Sequence, residues 1–304
     1  MPITPRNTAI VFGASGFIGS HVCQRLSKDG WSVVAVSRLR PALKHHLGDA
    51  IWVTHPNDVG DVIKCFEPKL VINAAVCYGR QGESLSDQVA VNSHLPIQLA
   101  EQCEEAGCPR FVQIDTFSWK PRTGAFVESA YTRSKKFAWE MLAALNLCRC
   151  NIVVARLEFP YGPRDRSHKF VSKLLSAFAQ NSPTFAMSDG LQERDFVWID
   201  DVSTAIAAIA RADLPTGFNE IEIGTGNTIS VRRFAEILCA ATGANTVLRF
   251  GELPRLSGEM DRSVADVAWL LKLGALPKTS VEDGCAKLAV YSNATDWNHI
   301  NQNG

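Results

Sequence analysis

The chain has 304 residues, 46% hydrophobic and 20% charged, with 31 basic side chains against 31 acidic. This is the balance of a globular protein that buries about three quarters of its unfolded surface and needs neither disulfides nor metal. A formal net charge of zero supplies no field for a polyanion, so nucleic acid and anionic membrane surfaces are not expected partners, and any anionic ligand must be met by placed groups. No apolar run approaches the ~18 residues of a membrane span, and the start, MPITPRNTAIVFG, has no apolar core before a cleavage site, so a cytoplasmic protein is expected. Nine cysteines and seven scattered histidines show no metal-ligand spacing, so no metal is expected.

In chain order, Thr8–Phe12, Trp31–Ser37, Ile51–Thr54, Leu70–Asn73, Phe111–Ile114 and Ile152–Leu157 read as short strands rich in β-branched and apolar residues. Helical spacing separates them, as at Ile18–Leu26 and Leu95–Cys103. Buried strands alternating with helices predict an α/β fold, a doubly wound parallel sheet of Rossmann type. The alternation breaks after Gly162-Pro163 with basic Arg164, Arg166, His168 and Lys169. Beyond it come a helix near Phe170–Gln180, a returning strand at Ile221–Ile223, a helix at Val231–Ala240 and another at Val264–Lys272, ended near Gly274. The expected organisation is a dinucleotide-binding part over 1–160 to which later segments return. A smaller, mainly substrate-binding part over 161–290 and a polar tail over 291–304 follow.

Directly after the first strand stand Gly13, Ser15, Gly16, Phe17, Ile18 and Gly19 in the turn GASGFIG, where the spacing becomes helical. Such a turn lets backbone approach a pyrophosphate, and the helix N-terminus offers N–H groups and a positive dipole end, so a dinucleotide is expected here. A free ribose 2′-hydroxyl calls for an acid at the end of the second strand. The sequence there is Ser37-Arg38-Leu39-Arg40, which suits a 2′-phosphate and predicts NADP over NAD. Asn57, Asp58 and Val59 are candidates for the adenine edge, and Ala74 and Ala75 are small enough for a cofactor to lie close. Further on, Tyr131 and Lys135 in YTRSK share one helical face. An ammonium beside a phenol favours the phenolate and is expected to draw the tyrosine toward neutrality for acid-base work.

With GASGFIG, YTRSK, RLEFPYGP, RDFVWIDDV and EIGTGNTIS, from about residue 8 to 288, the chain resembles the extended short-chain dehydrogenase/reductase family, also called the NAD-dependent epimerase/dehydratase family. The resemblance implies action on a nucleotide-activated sugar, with Thr116 holding the reacting oxygen beside Tyr131 and Lys135. Asn92 and Phe159 are then further cofactor neighbours, and Tyr131 and Lys135 also touch the cofactor. Within the family, Asp115-Thr116-Phe117, Ser134-Lys135-Lys136-Phe137, Arg194-Asp195-Phe196 and Phe250–Arg255 are similar to the CDP-abequose and CDP-paratose synthases, which are NADPH-dependent 4-ketoreductases. CDP is therefore favoured over other nucleotides, with Phe117, Lys169 and Phe170 as substrate neighbours and Arg194 and Arg255 on the diphosphate. The helix after Tyr131 carries Ala138, Met141, Leu142 and Leu145, a stripe that reads as core, while the resemblance implies that this helix makes a homodimer.

Three departures bear on the reading. Phe159-Pro160 stands where the family usually has Asn and a small apolar residue, and Asp115 replaces a common Ser, reading as a buried hydrogen-bonding residue. The family's dehydratases carry Asp and Glu after the catalytic Thr, where this chain has Phe117 and Ser118. The competing readings are a redox-neutral 4-epimerase with tightly held NAD, against which the missing ribose acid speaks, and a non-catalytic cofactor-sensing protein of the same fold, against which Tyr131 and Lys135 speak.

Overall fold

A computed structural model describes residues 7–38, 50–54, 58–120, 128–255 and 258–294. Six strands come first: β1 (Thr8–Phe12), β2 (Ser32–Ser37), β3 (Ile51–Thr54), β4 (Leu70–Asn73), β5 (Arg110–Thr116) and β6 (Asn151–Leu157). Four short strands follow, β7 (Phe159–Tyr161), β8 (Thr184–Met187), β9 (Glu193–Arg194) and β10 (Phe196–Trp198), before β11 (Phe218–Ile223) rejoins the main sheet. That sheet runs β3-β2-β1-β4-β5-β6-β11 with every pairing parallel. Its winding reverses between β1 and β4, and ligands of such sheets sit at the carboxyl ends of the strands beside that reversal.

Alternation along the strands builds two cores. Ala9, Val11, Val33, Ala35, Leu70, Ile72, Val153 and Ala155 face one side, under α1 (Phe17–Lys28) and α7 (Ile199–Arg211). Ile10, Phe12, Val34, Val36, Val71, Phe111, Ile152 and Val154 face the other, under α2 (Val59–Phe66), α4 (Leu95–Ala106) and α5 (Ala130–Ala144). Both faces are dry, which is why these strands read as nearly continuous apolar runs.

The remaining chain makes a second layer at the carboxyl ends. β7 pairs with β10, β8 with β13 (Val247–Phe250), and β9 with both β12 (Ile229–Ser230) and β14 (Arg262–Ser263). Helices α6 (Phe170–Ala179), α8 (Val231–Thr242) and α10 (Val281–Ala294) cover it around Tyr161, Phe196 and Phe234, the last two stacked at 4.0 Å. The helix expected over 264–272 is only Ala268–Lys272 (α9). Acceptors from elsewhere take the preceding N–H groups, Asp195 that of Ala265 and Glu222 that of Asp266, so the chain stays extended there.

Candidate active site

The glycine turn packs by contact with the β4 end. Gly13 has φ +74°, and a Cβ on it would lie 2.5 Å from the Ala75 nitrogen, so only glycine fits. A Cβ on Gly19 would lie 2.2 Å from the Gly13 carbonyl oxygen, which fixes the first turn of α1 against the loop. Gly16 is the N-cap of α1 and no side chain caps that end, the arrangement that receives a pyrophosphate. Ser15 is exposed beside it, Ile18 half-buried, and Phe17 buried. A dinucleotide therefore fits this end of the sheet on the donor set present.

At the β2 end Ser37 is buried and Arg38 exposed, and Arg38 is near enough to Asp87 to help hold that carboxyl below its usual range, after the stronger effect of the hydrogen bonds to Ser84. Asp58 serves as N-cap of α2, accepting from the Gly60 N–H at 2.7 Å, with Val59 half-buried next to it. Asn57 lies outside the described residues. Asn73, fully buried, accepts from the Ala75 N–H and donates to Gln113, which sets the course of Ala74 and Ala75 past the glycine turn. Asn92 is buried in a π-helical turn (Ala90–His94). Its amide bridges Cys77, through both backbone groups, to the Ser134 hydroxyl.

The catalytic candidates come together from two elements. Thr116 ends β5, and its hydroxyl accepts from the Ser118 N–H at 3.2 Å. Helix α5 begins one residue before Tyr131 because the Ser129 hydroxyl caps it, accepting from the Thr132 N–H. The Tyr131 phenol lies beside the Thr116 hydroxyl, close enough for it to favour the phenolate, so both are placed toward one oxygen of a ligand. Lys135, one turn later, is buried; its ammonium donates to the Ile114 carbonyl at 2.7 Å and lies 3.7 Å from Asp115 Oδ1.

The electrostatics correct one expectation. Burial, then Tyr78, holds the Tyr131 phenol well above its ordinary pKa, although Thr116 pulls the other way. Lys135 does not draw it to neutrality, because the ammonium is committed to a carbonyl and a carboxylate; its own pKa is lowered by burial, against the pull of Asp115.

Tyr78, which no sequence motif singles out, lies beside the pair with its ring 5.0 Å from that of Tyr131. Three cations surround it: Lys169 at 5.5 Å, Arg166 at 5.6 Å and Arg80 at 5.7 Å from the ring centroid. Lys169 also pairs with Asp165 at 3.1 Å and sits 5.6 Å from the Phe17 ring, so it joins the glycine turn to the catalytic tyrosine, while Phe170 opens α6 half-buried. On the opposite side Phe117 faces Phe159 at 6.2 Å, and Phe159 meets Phe196 at 5.0 Å, forming an apolar wall.

Arg194 and Arg255 belong to one neighbourhood, around β9 and β14. Arg194, 4% exposed, donates to Glu259 at 3.0 Å and to the Glu193 carbonyl, and it lines a 280 Å³ cavity with Phe196, Thr225 and Asn227. Arg255 holds Asp189 at 2.7 Å and Asp261 at 2.9 Å. Both guanidiniums thus have acidic partners in this state. Asp195, adjacent to Arg194, plays a different part: fully buried, it accepts from the backbone of Thr225, Gly226 and Ala265 and from the Thr225 hydroxyl. Among the described residues no group of three His, Cys, Asp or Glu is placed to hold a metal, and no helix is long and apolar enough to cross a membrane.

A parallel sheet with an uncapped glycine turn at its reversal, and a Thr-Tyr-Lys set at the next strand ends, defines a dinucleotide-binding enzyme of the extended short-chain dehydrogenase/reductase type. Comparison with known proteins agrees. The chain belongs to the NAD dependent epimerase/dehydratase family, whose model matches residues 9–224. It is 27% identical over 290 residues to a CDP-abequose synthase of Salmonella muenchen, covering 92% of this chain and 96% of that one. To a UDP-glucuronate 4-epimerase of Thermodesulfobacterium geofontis it is 26% identical over 313 residues, covering 93% and 95%. Among solved structures, MoeE5 in complex with UDP-glucose and NAD superposes with a TM-score of 0.81 at 26% identity, over 95% of this chain and 99% of that one.

Proposed function

We propose that the chain is an NADPH-dependent reductase of the 4-keto group of a nucleotide-activated deoxysugar, with a CDP-4-keto-3,6-dideoxyhexose as the favoured substrate type. The observation that carries this reading is the chemistry beside Thr116 and Tyr131. Two hydroxyls meet there, and the next residues are Phe117, packed on Phe159, and Ser118, which accepts from the Thr132 hydroxyl. That set donates a proton to a ketone oxygen but offers no acid-base pair for removing water from a hexose. Similarity to CDP-abequose synthase supports the same reading.

When bound, NADPH supplies hydride to the sugar carbon. The chain's own groups do the rest: Gly13, Ser15, Gly16, Phe17, Ile18 and Gly19 receive the pyrophosphate, and Ser37 and Arg38 the 2′-phosphate. Asp58 and Val59 flank the adenine, while Ala74, Ala75, Asn92 and Phe159 shape the cofactor's path. Thr116 positions the ketone oxygen, Tyr131 gives it a proton, and Lys135 holds the cofactor beside them. Lys169, Phe170, Arg194 and Arg255 meet the sugar nucleotide, the two arginines exchanging carboxylate for phosphate. Leu85, Val89, Phe137 and Met141 leave an apolar face on α5 and the short α3 (Leu85–Val89) exposed, which a second copy covers in a homodimer.

The test is incubation with NADPH and a panel of 4-keto-6-deoxy nucleotides, including the CDP-3,6-dideoxy form, and separately with intact hexose nucleotides. Stoichiometric NADPH oxidation with gain of two hydrogens in the product mass is expected from the first set only. The similarity to 4-epimerases supports a second reading, redox-neutral inversion with retained NAD. Inversion at C4 without net NADPH consumption would establish that reading and remove the first.

A further inference from the structure

Asp115 is the unusual member of this site. Its side chain is 2% exposed and that of Lys135 4%, with Oδ1 and Nζ 3.7 Å apart. Asp115 Oδ2 accepts from the Trp119 indole N–H at 2.8 Å, while Oδ1 has no hydrogen-bond donor. Behind Trp119 lies the Arg156 guanidinium, 3.6 Å from the ring centroid and itself paired with Glu220 and Glu222 of β11. Burial raises the Asp115 carboxyl above its ordinary range against the pull of Lys135 and the Trp119 N–H, so a carboxylate with one oxygen unbonded is costly here unless a cation answers it. Lys135 is that cation.

We propose that Asp115 is the counter-ion of Lys135 and a positioning residue that keeps Tyr131 a protonated donor, biasing the site toward giving a proton and away from taking one. The inference rests on the ketoreductase reading and deepens it. A lone buried ammonium one turn along α5 pulls the phenol toward its anion, as removing a proton from an alcohol requires. An ammonium paired with a carboxylate presents a near-neutral dipole, and Asp115 also adds its own negative charge near the phenol. In ketone reduction the phenol O–H breaks. Its proton passes to the ketone oxygen, which takes the electron pair of the carbonyl π bond as its carbon gains hydride, and water reprotonates the phenolate.

The other groups facing Tyr131 are accounted for. Thr116 of β5 and Arg80 of the β4–α3 loop favour its anion, and Tyr78 of that loop lies against its ring. Lys169 and Arg166, from the segment before α6, sit over Tyr78. Asp115 and Lys135 are the pair within this set whose charges oppose each other directly.

The test is spectroscopic and needs no substrate. Tyrosinate absorbance is titrated in the full chain and in Asp115→Asn, each with Tyr131→Phe in the same background to isolate the Tyr131 signal. The expected result is a fall of the Tyr131 midpoint by about one pH unit or more in Asp115→Asn. Asp115→Glu, which keeps the carboxylate, should return most of it, and Asp115→Ser provides a smaller side chain if the amide variant fails to fold. With NADPH and a turned-over ketone, the alkaline limb of kcat/KM should move by the same amount. A midpoint that stays or rises in both neutral variants overturns the proposal. Absence of ketone turnover together with a lowered midpoint overturns the ketoreductase reading instead and leaves the counter-ion intact.

Discussion

Replacing Lys120 by methionine removes a cation that ties β11 to the residues directly after β6 and β14 beside the site. Its ammonium is 13% exposed and contacts Glu158, Glu222 at 2.6 Å and the Val264 carbonyl at 2.8 Å. Glu158 is 1% exposed and is left with only the Ser263 hydroxyl, at 2.6 Å. Breaking a buried pair on one side costs about 3–5 kcal/mol, since the stranded charge is neither hydrated nor paired. With about 2.1 cal/mol/K of unfolding entropy per residue, 304 residues give roughly 0.6 kcal/mol/K, so Tm should fall by about 5–8 °C. The loss depends on pH. Burial already raises the Glu158 pKa against the pull of Lys120, and the variant raises it further. A carboxyl whose folded pKa exceeds its unfolded one costs nothing below the unfolded value and becomes destabilising as pH rises through the folded one. The deficit should therefore be largest near pH 8 and shrink toward pH 5. Glu158→Gln added to Lys120→Met should recover at least half of it at pH 8. Scanning calorimetry at the two pH values measures this; a deficit under about 1 kcal/mol, or one indifferent to pH, refutes the reasoning.

Four further outcomes follow from the site. Tyr131→Phe should slow ketone reduction by ~10²–10⁴ while leaving cofactor affinity nearly unchanged, read from single-turnover rates and fluorescence titration. Arg38→Ala should weaken NADPH binding with little effect on NADH, and equal affinity of the parent for both would remove the 2′-phosphate assignment. Arg194→Ala and Arg255→Ala should each lose a charge-assisted phosphate contact of ~1.5–3 kcal/mol, seen calorimetrically as weaker sugar nucleotide binding. Phe137→Glu on the exposed face of α5 should shift the light-scattering mass from dimer to monomer; a parent that is already monomeric would discard the homodimer.

What the sequence shows of the fold is what the backbone writes locally. The glycine turn is legible because a +74° φ and a 2.5 Å approach admit no other residue at Gly13, and the YTRSK helix because four residues are one turn. Strands buried on both faces announce themselves as apolar runs. What escapes are features whose partners lie far along the chain. Lys120 meets Glu158 and Val264, Asp195 gathers donors from 225, 226 and 265, and Tyr78 reaches Tyr131 with no spacing to advertise it. The same distant acceptors explain the misread helix at 264–267, where local periodicity lost to Asp195 and Glu222. Arg194 shows the limit from another side: Glu193 and Asp195 flank it in the chain, while its guanidinium holds Glu259, 65 residues further on.

The position of β11 has a consequence for how the chain is made. β6 receives its outer neighbour only when Phe218–Ile223 lies down beside Ile152–Leu157, and α1 receives its cover only with α7. During synthesis the first 160 residues therefore emerge with the buried strand β6 standing at the sheet edge and with Val153 and Ala155 uncovered, the kind of surface on which nascent chains associate wrongly. A fragment cut at that point lacks the seventh strand of the sheet and the helix that covers α1, however complete its glycine turn and catalytic helix. The pairing of the strand near residue 223 with β6 is a long-range contact, of the kind that costs loop-closure entropy before it forms, and it also attaches the substrate side to the cofactor side.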